Sequence, residues 1–144
     1  MEQPWREAIW GQFGAALDML GNAVEMCPED LWFARDREPM FWYLISHTLF
    51  WLDLYLSEDR ESFRPPAPFG LEELDPAGVI PDPPYTRNQL RAYLAHGRRK
   101  CRETIAAMTT ERAAARHRFR WGEVSGMELL VYNLRHVQHG AAQA

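Results

Sequence analysis

Between Met40 and Leu56 the chain reads MFWYLISHTLFWLDLYL, the segment that most restricts what fold is open to it. Phe41, Ile45, Thr48, Leu49, Leu52 and Leu56 recur at helical spacing as one stripe, and Leu44, His47, Trp51 and Tyr55 form a second stripe beside it. A helix that is apolar around most of its circumference has to be surrounded by other elements. Ser46, His47, Thr48 and Asp53 interrupt the run, which is also shorter than the ~20 apolar residues a bilayer span requires. The segment is therefore expected at the centre of a globular fold and not in a membrane.

Three further segments carry the same periodicity. Pro4 suits a first helical turn, and Trp5, Ile9, Phe13, Leu17, Leu20 and Val24 follow as one stripe, predicting a helix from Pro4 to Met26 that Pro28 ends. Pro28-Glu29-Asp30 opens a short helical turn that brings Leu31, Trp32 and Phe33 to the core edge. Thr86 and Gln89 have the form of a capping box ahead of a third helix, Arg87 to Met108. Ser125 and Glu128 repeat that form ahead of a fourth, whose stripe is Met127, Leu130, Val131, Leu134, Val137 and Ala141. Four long amphipathic helices in 144 residues predict an all-α fold, an antiparallel four-helix bundle forming a single domain over residues 1–144.

The second and third helices are joined by residues 57–85, which hold seven of the ten prolines. So long a connection predicts a crossover that spans a bundle end or lids a site, and Phe63, Phe69, Leu71, Val79 and Ile80 predict that it packs down. Thr109 or Thr110 begins a short polar helix through Arg116, and His117 to Trp121 reads as an extended connector.

A formal charge of −4 gives no broad positive field, so neither nucleic acid nor an anionic membrane surface is an expected partner. Arg91, Arg98, Arg99, Lys100 and Arg102 read as the solvated face of the third helix. Two cysteines, Cys27 and Cys101, are too few for a disulfide framework, and no leader pattern opens the chain, which predicts a cytoplasmic protein with reduced thiols. Both cysteines read as small hydrophobes. Neither a glycine-rich phosphate loop nor a GxSxG nucleophile elbow is present.

The chemistry-bearing residues are histidines. His136 and His139 lie three apart on the fourth helix, about 60° from one another around its axis, and His47 lies on the flank of the central helix. Two helices packed ~8–10 Å apart let an imidazole from each reach one divalent ion. The bland alternative for each histidine is a hydrogen-bonded core or surface residue. His96 and His117, set among arginines and polar residues, read as solvated.

The order and spacing of several pieces resemble the DinB/YfiT-like superfamily: Phe41-Trp42-Tyr43 ahead of Ser46-His47-Thr48-Leu49-Phe50-Trp51-Leu52-Asp53, Pro84-Tyr85-Thr86, Leu94 to Ile105, Phe119-Arg120-Trp121, and Glu128 to Gln138 with Gln143. The likeness covers nearly the whole chain. It implies a four-helix bundle with a long crossover between helices two and three, often dimeric, holding nickel or zinc through three histidines. His47 matches the ligand on helix two and His136 the first ligand on helix four. The second ligand on helix four falls at residue 140, which is Gly140, one position after His139. Three outcomes are open: His139 swings in, two imidazoles plus water hold the ion, or metal binding is lost. On the first two, the resemblance implies a metal-dependent thiol transferase-like or hydrolase-like enzyme acting on a small molecule, in a pocket lined by Tyr43, Trp51 and Tyr132. On the third it implies a non-catalytic dimeric binding or structural bundle. A histidine at position 140 would be expected to complete the ligand set. The likeness normally runs on past Gln143, so the last turn of helix four is expected to fray.

Overall fold

The computed structural model describes residues 4–144. In chain order the elements are α1 (Pro4–Met26), α2 (Glu29–Trp32), α3 (Phe41–Leu56), a 3-10 turn at Glu72–Leu74, α4 (Arg87–Ala106), α5 (Thr110–Ala114), the strands β1 (Arg116–Phe119) and β2 (Gly122–Ser125), and α6 (Gly126–Gln143). The four long helices pack as a bundle in which α1 and α3 each contact both α4 and α6. Each of α1 and α3 therefore sits diagonally across from the other, and the crossover from α3 to α4 joins neighbours.

The apolar stripes converge as the periodicity requires. Phe13, Leu17, Leu20 and Val24 of α1 meet Ile45, Leu49 and Leu52 of α3, all fully buried, with Leu90, Tyr93 and Cys101 of α4 and Val137 of α6. Burying each such side chain contributes roughly 1.5–3 kcal/mol, the main term holding the helices together. The capping box opening α4 is formed, Thr86 accepting from the Gln89 amide and Gln89 from the Thr86 amide. Ser125 caps α6 by accepting from the Glu128 amide at 3.1 Å. Helix α6 runs through Gln143, and the Arg37 guanidinium donates to the Gln143 carbonyl at 2.6 Å.

Two close approaches set helix spacing. A Cβ at Gly97 would lie 3.0 Å from Leu52 Cδ2, and one at Gly140 would lie 2.3 Å from Thr48 Oγ1. Glycine at these positions lets α4 and α6 lie tightly on α3.

The segment expected to be a simple extended connector is an antiparallel hairpin. Phe119 pairs with Gly122 across a two-residue turn at Arg120 and Trp121. Gly122 has φ +150°, a conformation that side chains disfavour. The hairpin is held by aromatic contacts: Trp121 stacks between Phe119 and Tyr132, with centroids at 4.9 and 4.3 Å. Among the described residues no helix is long and apolar enough to cross a membrane.

Candidate metal centre

His47 sits on the second turn of α3, where the second stripe turns toward α6. His136 faces it from the antiparallel α6, the ring centroids 5.7 Å apart at an interplanar angle of 62°. Two imidazoles sharing one tetrahedral ion at about 2.0–2.1 Å would have centroids roughly 5 Å apart, so the pair needs only a small adjustment to share one. Nε2 of His136 is buried and has no hydrogen-bond partner among the described residues. Burial, together with His47 and His139 nearby, pushes its pKa down to about 4, and the ring is neutral with a lone pair available.

The crossover supplies a residue that the histidine pattern did not reveal. The 3-10 turn at Glu72–Leu74 lowers Glu73 onto α3, where its carboxylate lies 2.9 Å from His47 Nδ1 and accepts from the Tyr43 hydroxyl at 2.5 Å and from Trp51 Nε1 at 3.1 Å. Tyr43, His47 and Trp51 are spaced four apart, one above the other on α3, so a single carboxylate reaches all three. Burial opposes ionisation of Glu73, but the bonds from His47 and Tyr43 outweigh it and hold the carboxyl below its usual range. Tyr43 is pushed well up, by burial and by the bond to Glu73, and stays a proton donor. Against that carboxylate, His47 in its neutral form carries its proton on Nδ1 and its lone pair on Nε2. The only sequence signal was an acidic pair beside Leu71 in a stretch otherwise dominated by proline.

His139 lies elsewhere. It is exposed and lines a groove between α6 and α1 with Gln12, Ala15 and Gln138. Of the three histidines, the fold brings together His47 and His136. Tyr43 and Trp51 flank His47 as expected, whereas Tyr132 belongs to the aromatic stack under the hairpin, 5.5 Å from Tyr55. Gly140 is buried against Thr48, so a histidine there has no room for even its Cβ.

A family model for the DinB superfamily matches residues 12–144. The chain belongs to the DinB superfamily. Proteins of the DinB superfamily often bind a metal. No curated protein and no solved structure matches. In this DinB chain no three His, Cys, Asp or Glu side chains among the described residues are grouped to hold an ion. What the fold does bring together is a pair of imidazoles, His47 and His136, with Glu73 behind His47.

Three other expectations change. His96 is not simply solvated: its Nε2 is 3.4 Å from the buried Asp53 carboxylate. Lys100, assigned to the solvated basic face, donates to the same carboxylate at 2.6 Å, and Tyr93 donates to it at 2.9 Å. The close approach at Gly97 carries this face of α4 over Asp53, bringing residues 96 and 100 within reach. His117 is half-buried, receiving a bond from Arg60 at 3.2 Å.

Proposed function

We propose that this DinB-superfamily protein binds a divalent ion, nickel or zinc, through His47 and His136, and acts on a small molecule, a thiol being the class the family resemblance favours. One observation carries the reading: the buried Nε2 of His136 has no hydrogen-bond partner among the described residues, on a ring that packs against that of His47. Leaving such an atom without a partner costs about 1–3 kcal/mol, a cost that a bound ion removes. Glu73 fixes the tautomer and orientation of His47, and Tyr43 and Trp51 fix Glu73. A divalent ion held there would supply Lewis-acid chemistry, lowering the pKa of a bound thiol or water. Two imidazoles leave coordination positions open to that molecule, and hold the ion less firmly than the three or four ligands usual for zinc. Transfer or hydrolysis are the reaction classes that follow.

Calorimetric titration of nickel and zinc into chelator-treated protein without a histidine tag tests this. About one ion per chain is expected, lost in His47→Ala and His136→Ala and retained in His139→Ala. Glu73→Gln should weaken binding by about 10- to 100-fold. Binding that neither His47→Ala nor His136→Ala changes would sink the proposal. The second reading, a dimeric binding bundle without a catalyst, draws on Gly140 filling the family's third ligand position with a helix contact. It requires little or no bound metal in the unaltered protein and a dimer by light scattering.

A further inference from the structure

A separate cavity of about 200 Å³ opens where the C-terminal ends of α3 and α4 meet the start of α6. Its nearest residue on α3, Tyr55, is eight positions past His47, about 12 Å along the helix. Neither His47 nor His136 lines it. The inner walls are Leu56, Met108, Leu129 and Leu130, each nearly buried. An apolar cavity of ~150 Å³ accommodates a benzene ring, so this one has room for a single ring or a short alkyl chain.

The mouth is polar and its charges are unequally matched. Arg112 is neutralised by Glu58, Nη2 to Oε1 at 3.1 Å. Arg60 is not: its guanidinium donates to His117 Nδ1 at 3.2 Å and lies 4.6 Å over the Phe119 ring, and among the described residues no carboxylate pairs with it. A guanidinium is permanently charged, so the mouth keeps a net cation. By accepting from Arg60 at Nδ1, His117 in its neutral form has its proton on Nε2, a second donor. Burial and the neighbouring Arg60 both favour that neutral form.

We propose that this cavity binds a small amphipathic carboxylate, with a single ring or a six- to eight-carbon chain between Met108, Leu129 and Leu130 and its carboxylate on Arg60. An apolar chamber closed by one unmatched guanidinium selects this chemistry: the chamber rewards a compact apolar body, and the guanidinium rewards a planar anion.

The test uses the full chain with octanoate, and octanamide as its uncharged counterpart. Calorimetry should give one site per chain with octanoate about tenfold tighter than octanamide, the order of effect expected of one charge-assisted contact. Methyl resonances of Met108, Leu129 and Leu130 should shift on addition. Arg60→Gln should abolish the preference for the acid, and Arg60→Lys should keep part of it, each variant checked for an unchanged thermal melt. Equal affinity for acid and amide overturns the proposal. So do a preference that survives Arg60→Gln, methyl shifts confined to other residues, or no binding of octanoate at all.

Discussion

Asp53 has no exposed surface, yet its carboxylate is held in the bundle by Lys100, Tyr93 and His96. A buried charge is tolerable only while its partners remain. Lys100→Met keeps the apolar stem and deletes the charge, and should lower unfolding stability in urea by about 3 kcal/mol, the low end for breaking a buried pair because two partners stay. Adding Asp53→Asn should recover part of the loss, since the stranded charge is then gone. If the double variant is the less stable of the two, the carboxylate is not the source of the cost. Gly140 tests packing in the same way. Gly140→Ala gains helix propensity of up to ~1 kcal/mol but drives a methyl into Thr48, and the clash should win by about 1–2 kcal/mol. In a Thr48→Ala background the same substitution should cost much less, and additivity of the two changes would show that they do not meet.

The long helices were legible because each carries an apolar stripe over roughly four to six turns, with a capping box ahead of α4, a serine cap ahead of α6 and a proline just past the end of α1. Thr86 with Gln89, and Pro28 after Met26, marked their boundaries closely. The hairpin was not, since four-residue strands such as Arg116–Phe119 offer too few alternations to distinguish from a loop, and Gly122 after Trp121 was its one local sign. Of the candidate site, His47 and His136 could be read from helix register. Glu73 could not, because it comes from a connector whose path depends on packing absent from any local pattern. That connector is fastened by its 3-10 turn, through bonds from Tyr43, His47 and Trp51 to one carboxylate. Glu73→Ala should therefore speed amide exchange at residues 71–75 while leaving α4 and α6 protected. Unaltered exchange there would mean that apolar contacts of the connector suffice.

Stability of the whole molecule is linked to pH through His136. Its folded pKa, about 4, lies below the ordinary 6.5, so between these values the unfolded chain takes up a proton that the folded chain refuses. Stability from this group is complete above about pH 6.5 and declines as the pH falls toward 4, by roughly 2 kcal/mol after allowing for its partial exposure. Denaturant midpoints of metal-free protein should follow that decline, and His136→Leu should flatten it by the same amount. Equal slopes in the two proteins would show that the imidazole is as easily protonated folded as unfolded. The interhelical ion pairs, Arg91 with Glu25 and Arg98 with Asp18, lie at the surface and contribute little by comparison.

The contact between Gly140 and Thr48 also orders the routes by which this protein could acquire a third imidazole. A histidine introduced first at position 140 meets Thr48 before its ring can reach the other two, and the chain passes through a strained, less stable form. Shrinking Thr48 first opens the space at the smaller cost of losing a hydroxyl and a methyl group. The two steps commute in outcome but not in survivability, and the residue that gates the route is a threonine whose hydroxyl only donates back to the Leu44 carbonyl of its own helix.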